Sequence, residues 1–350
     1  MPGPVKISPK VRAALAARPL SHRGGAFAEL HGQCKDALLR LGKSKHVILL
    51  MGSGTAANAM VAQELKKLPG RGLVLANGEF GARLAAQGAR AGLDFDTHRV
   101  AWGGAFAFEG VREKLRGKSW LWLAHCETST GAVNLDARLA AHCKAQNIKL
   151  CLDSVSALGN QEVDFSGVYL ASGVSGKGLC AVPGVAMVFY NHAPKPARTG
   201  LDYLDLAVYH GAAGVPFTFS SNLLAALRAA LSATDYTRKF ARNARHAARV
   251  GEWLAANKLR TPLTHAQQAD YVWTLALPKR ISSPALGVRL EQNGVFVNHR
   301  NRYLARRNWI QIALMGVCGT KELAAALDIF GREMGRGFST RGFATPEITG

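Results

Sequence analysis

Apolar positions along this chain follow two rhythms. Short, largely apolar runs occupy residues 47–51, 73–76, 120–124, 148–152, 168–171 and 185–190. Runs of that length are too short for buried helices and read as strands covered on both faces. Segments 56–67, 81–91 and 136–146 instead repeat their apolar residues at helical spacing. Strands alternating with helices predict an α/β chain on a mostly parallel sheet with helices on both faces.

The ends of the chain have a different character. Prolines 2, 4 and 9 predict an extended arm over residues 1–12 that packs on the body. A helical segment follows, then a turn at 20–25 carrying His22 and Arg23, then helical spacing over 26–41. Residues 99–118 give no clear pattern. Segments 220–235 and 236–257 predict two long helices, the second polar and basic along one side. Strands at 271–277, 295–298 and 310–314, a helix near 284–292 and a closing helix at 321–333 complete a smaller α/β unit. The expected organisation is a large domain over 13–235, a small domain over 236–335 and an unstructured tail from 336 to 350.

Composition narrows the class. At 350 residues with 48% apolar and 19% charged residues, the chain has room for one large or two ordinary cores and reads as soluble. No apolar run nears the ~20 residues that span a bilayer, and the N-terminus lacks a signal-peptide core. The six cysteines show no CxxC spacing, so reduced thiols in a cytoplasm are expected. Lysine and arginine outnumber aspartate and glutamate by 44 to 23, a net charge of +21. The excess thickens at 238–248 and 300–307 without a basic tail, so a nucleic-acid partner is not expected, while an anionic substrate suits it.

The candidate chemistry sits where strands end. The run 148–152 delivers Asp153, and 168–171 leads to Lys177 in a loop of small residues with no carboxylate to pair it. Such a lysine has room to form a Schiff base, and a carboxylate at a neighbouring strand end suits the ring nitrogen of pyridoxal phosphate. Gly52-Ser53-Gly54-Thr55 opens a helix directly after a strand, which suits a phosphate. The same residues also fit a solvated surface lysine and an ordinary N-cap at Ser53 or Thr55. Phe80, between glycines at the next strand end, suits either a core or the face of a planar ligand.

Taken in order, Gly52-Ser53-Gly54-Thr55, Asn77-Gly78-Glu79-Phe80-Gly81-Ala82-Arg83, His125-Cys126-Glu127-Thr128-Ser129-Thr130-Gly131, Asp153-Ser154-Val155-Ser156-Ala157-Leu158-Gly159, Lys177 and Pro183-Gly184 resemble the class V aminotransferases of fold type I. Within that family the likeness is to 2-aminoethylphosphonate–pyruvate and alanine–glyoxylate/serine–pyruvate transaminases. The resemblance spans nearly the whole chain. It implies a pyridoxal 5′-phosphate enzyme with Lys177 as Schiff-base lysine and proton shuttle and Asp153 at the pyridinium nitrogen. It further implies that Phe80 stacks on the ring, that Ser53, Gly54 and Thr55 hold the phosphate, and that Thr128 approaches the ring's 3′-oxygen. Thr218 and Ser221 would reach a partner's phosphate, which implies a homodimer with shared active sites. An amino donor and a 2-oxo acid acceptor follow as partners.

Two positions depart from the family pattern. Gly176 replaces the polar residue that often precedes the lysine, leaving Ser175 as the candidate for that contact. Gln311 stands where relatives carry the arginine that clamps the substrate carboxylate or phosphonate. Arg23, Arg300 and Arg302 are the candidates to replace it. A lyase or decarboxylase using the same cofactor is the first alternative, and an inert basic binding protein on the same fold the second.

Overall fold

The computed structural model describes residues 3–197 and 200–335. The tail expected from residue 336 lies outside the described residues. Helices α1 (Pro9–Leu15) and α2 (Gly25–Gly42) lead into β1 (His46–Gly52) and α3 (Gly54–Leu65). Then come β2 (Gly72–Ala76), α4 (Glu79–Arg90), β3 (Phe95–Arg99), α5 (Phe108–Lys114) and β4 (Trp120–Ala124). The short pair β5 (Cys126–Glu127) and β6 (Ala132–Val133) precedes α6 (Ala137–Ala145), β7 (Lys149–Asp153), β8 (Leu170–Val174) and β9 (Gly184–Tyr190). After α7 (Leu206–Gly211), helices α8 (Ser221–Ala233) and α9 (Tyr236–Ala256) lead to β10 (Gln267–Gln268) and β11 (Val272–Ala276). Finally α10 (Ser283–Gln292), α11 (Arg302–Ala305), β12 (Trp309–Ala313) and α12 (Thr320–Gly335) follow.

Seven strands form the main sheet in the order β1-β9-β8-β7-β4-β2-β3. Its pairings are parallel except those of β9, which runs antiparallel to both neighbours. Alternate residues of each strand feed two separate cores. Val47, Leu49, Leu121 and Leu123 join α2, α5, α6 and α8 on one face, while Ile48, Leu50, Trp120 and Trp122 join α3, α4 and α7 on the other. Burial on both faces is why these strands carry unbroken apolar runs. A further core forms where α9, α10 and α12 cover the antiparallel pair β11–β12. The division expected after residue 235 falls between α8 and α9.

Several expectations are corrected. The N-terminal arm is not extended through residue 12: Ser8 caps α1, Pro9 takes its first turn, and Val11 is buried in the large core. Residues 295–298 do not form a strand; Asn298 makes a single antiparallel bridge to Gln311. Strand β3 was not foreseen because it is an edge strand whose residues are all at least partly exposed, so Phe95-Asp96-Thr97-His98-Arg99 lacks an apolar run. Helices α5, α7 and α11 are short and gave no periodic signal. Among the described residues no helix is long and apolar enough to cross a membrane, and all six cysteines are free thiols.

Candidate active site

The C-terminal ends of β7 and β8, the loop before β9 and the starts of α3 and α4 meet in a cleft of about 390 Å³. Ser53, Gly54, Thr55, Phe80, Asp153 and Lys177 all line it, so residues from four separate stretches of chain converge there. Ligand crevices of open α/β sheets lie beyond strand C-termini for the same reason, because loops from adjacent strands splay apart there.

Lys177 Nζ donates to Ser156 Oγ at 2.8 Å and lies 5.4 Å from the centre of the Phe80 ring. Its pKa is lowered, chiefly by burial, with Arg83 adding to the effect and Asp153 opposing it. Asp153 accepts from Asn58 Nδ2 at 2.9 Å and from the Val155 amide at 3.1 Å. Burial raises its pKa, and Lys177, Asn58 and the Val155 amide hold that rise back. Asn58 is in turn fixed by Ser172 Oγ, which donates to its Oδ1 at 2.6 Å. Sequence reasoning missed Asn58. Its one visible signal is an amide among the mostly apolar buried residues of α3, a face that also carries Glu64.

Phe80 is placed by a buried carboxylate. Glu127 accepts from the amides of Phe80 (3.2 Å) and Gly81 (2.8 Å) and from Ser129 Oγ (2.5 Å). It thereby caps the positive end of α4. At the start of α3, among the described residues, the Gly54 and Thr55 amides have no backbone partner and the Ser53 hydroxyl caps nothing. A side chain at Gly54 would come within 2.7 Å of Val155, so the backbone approaches the cleft where a bulkier residue could not. Gly3 and Pro4 also line the cleft, so the N-terminal arm closes over Lys177.

Eight candidate residues lie outside this cleft wall. Ser175 Oγ is used up within the loop, donating to the Val182 carbonyl and accepting from the Val185 amide. Thr128 is buried behind the wall, where its carbonyl accepts from Gln311. Thr218 is exposed, and Ser221 Oγ accepts from the Leu20 amide at 2.8 Å. Arg23 donates to the Val215 and Pro216 carbonyls, bracing the segment that carries Thr218. Gln311 is fully buried: its amide donates to the Thr128 carbonyl (2.5 Å) and Thr274 Oγ1 (2.8 Å), and its oxygen accepts from Asn298 Nδ2 (2.7 Å) and Tyr303 (3.3 Å). That amide has no capacity left for a substrate. Its assignment as a substrate ligand is therefore corrected to an internal tie between β12 and the 126–131 segment. Arg300 is paired with Glu291 at 2.6 Å, and Arg302 does not line the cleft.

Residues 11–297 match the family model described as aminotransferase class V. The chain belongs to the class V aminotransferases. It is 30% identical to a 2-aminoethylphosphonate–pyruvate transaminase of Pseudomonas fluorescens over 79% of this chain and 80% of that protein. It is also 30% identical to the soluble hydrogenase 42 kDa subunit of Anabaena cylindrica, over 66% of this chain but only 64% of that protein. The crystal structure of alanine–glyoxylate aminotransferase from Nostoc sp. superposes with a TM-score of 0.87 at 25% identity, covering 95% of this chain and 94% of that one. The class V family, its fold type I architecture and its aminotransferase character, expected from six ordered motifs, are borne out.

Proposed function

We propose that the protein is a pyridoxal 5′-phosphate-dependent aminotransferase that acts as a homodimer on a small anionic amino donor and a 2-oxo acid. One observation carries the reading. A half-buried lysine with, among the described residues, no ion-pair partner at hydrogen-bond distance lies against one aromatic ring, with a buried, amide-held carboxylate and an unsatisfied helix start on the same cleft. That donor set fits the cofactor. The Gly54 and Thr55 amides and the Ser53 hydroxyl suit its phosphate, Phe80 its ring face, and Asp153 its protonated ring nitrogen.

When bound, the cofactor supplies an electron sink for the pair released as a substrate bond to Cα breaks. The chain's own residues would do the rest. Burial lowers the Lys177 pKa and so favours its uncharged form, the form that a nucleophile and a proton acceptor require. Ser156 holds Nζ in place, from where Nζ would accept the proton lost from substrate Cα and hold it for return. Asn58 and the Val155 amide favour the ionised form of Asp153, which a protonated ring nitrogen needs. The arm at Gly3 and Pro4 excludes water from above.

The dimer rests on residues that serve no purpose in their own cleft. Arg23 and Ser221 fix a segment that presents Thr218 outward, as delivery to a second subunit requires. Free thiols and the lack of a membrane-length helix among the described residues suit a cytoplasmic enzyme. Family membership together with Lys177 and Asp153 favours catalysis over an inert binding protein. The test is the Lys177→Ala variant, which should lose both the visible absorbance of lysine-bound cofactor and amino transfer. Unchanged absorbance in that variant would overturn the assignment.

A further inference from the structure

With Gln311 saturated inside the protein, the cleft needs another group to recognise an anionic substrate. Among the described residues, the arginines lining it are Arg83 and Arg90, which project with Gln87 from one side of α4. The spacing of four and then three residues puts all three on one helical stripe. Gln87 is already engaged, donating to the Thr55 carbonyl at 2.9 Å. Arg83 is held differently. Its Nε donates to Glu79 at 2.9 Å, and its guanidinium lies 5.3 Å from the centre of the Phe80 ring. Among the described residues its two terminal nitrogens have no hydrogen-bond partner. The result is a pre-oriented fork whose open end is free, which is the geometry that a carboxylate or phosphonate accepts in bidentate fashion. Lys177 Nζ lies against the same ring, so a substrate nitrogen delivered to Lys177 places the rest of that molecule beside Arg83.

The geometry points to Arg83 on α4 as the substrate's anion-binding residue, a task that the internally saturated Gln311 on β12 does not perform, selecting amino donors that carry a carboxylate or phosphonate. This rests on the aminotransferase reading above. Arg90, farther along α4, widens the cationic rim and, among the described residues, has no partner to orient it.

The test uses the purified protein saturated with pyridoxal phosphate and three variants: Arg83→Gln, Arg83→Lys and Arg90→Gln. Binding of methylphosphonate is measured by calorimetry, with methanol as the uncharged control. Cofactor affinity is measured separately on cofactor-free protein from the visible band. Arg83→Gln should weaken methylphosphonate binding about ten- to hundredfold, the loss of a charge-assisted hydrogen-bonded pair. Arg83→Lys should fall between, since the charge stays but the fork is lost. Arg90→Gln should change binding less than threefold, and cofactor affinity should hold in all three. Unchanged methylphosphonate binding in Arg83→Gln would overturn the proposal. So would a drop in cofactor affinity with methylphosphonate binding intact, because Arg83 would then serve the cofactor's phosphate. A wild-type protein that never takes up the cofactor would instead refute the aminotransferase reading. In that case the anion site stands or falls on the Arg83→Gln difference measured without cofactor.

Discussion

Replacing Gln311 with alanine separates a structural tie from a substrate clamp. The side chain makes four hydrogen bonds at a position with no solvent exposure. Two of its partners keep another bond when it is removed: Thr274 Oγ1 still donates to the Ser129 carbonyl, and Tyr303 still accepts from Asn301. The other two, the Thr128 carbonyl and the Asn298 amide, are left without a partner among the described residues. Each buried orphan costs about 1–3 kcal/mol, so the two together predict a loss of about 4 kcal/mol, with the vacated volume acting in the same direction. Urea unfolding followed by tryptophan fluorescence reads this as a lower midpoint at similar slope. Gln311→Arg should also destabilise. A guanidinium offers no acceptor to Asn298 or Tyr303 and brings a charge to a fully buried position. Stability within about 0.5 kcal/mol of wild type for Gln311→Ala, together with a raised KM, would refute this reasoning and return Gln311 to the substrate site.

Other substitutions test the remaining links. Asn58→Ala removes a hydrogen bond that lowers the Asp153 pKa, so the acid limb of cofactor binding should move to higher pH; a pH titration of the visible band checks it. Glu127→Ala strips the cap from α4 and orphans the Phe80 and Gly81 amides, costing about 2–4 kcal/mol in a thermal or urea melt and weakening cofactor affinity. In cofactor-free protein, burial raises the Asp153 pKa, so its contribution to stability is fully present below its unfolded value and is lost as pH rises through the folded one. Asp153→Asn should therefore raise the melting temperature of the cofactor-free form at pH 7 while abolishing transfer. The Lys177 pKa is lowered, so stability rises with pH between its folded and unfolded values, and Lys177→Met should flatten that alkaline rise.

Much of the fold was legible because both faces of the sheet are covered. Residues 120–124 form β4 as read and are buried throughout, and the run 148–152 falls on β7 (Lys149–Asp153) one residue out of step, with Lys149 the run's one charged position. The edge strand β3 and the short helices escaped because partial burial leaves no apolar period to read. Asp153 and Lys177 were legible through chemistry, the first as a charged residue at a strand end and the second as a charged residue in a loop of small residues. Asn58 and Ser156 were not, because what they do depends on which elements the sheet order brings together. Gln311 shows the limit most clearly. The resemblance drew attention to this position as a substrate ligand, yet its role follows only from four partners drawn from the 126–131 segment, β11, the bridge at Asn298 and α11.

The most direct measurement is the visible spectrum of the purified protein with pyridoxal phosphate, followed while an amino donor such as 2-aminoethylphosphonate or L-alanine is added and then a 2-oxo acid. The account predicts a yellow band that requires Lys177, fades with the donor and returns with the acceptor. A protein that never takes up the cofactor, or one that stays yellow while releasing ammonia or carbon dioxide, would contradict it.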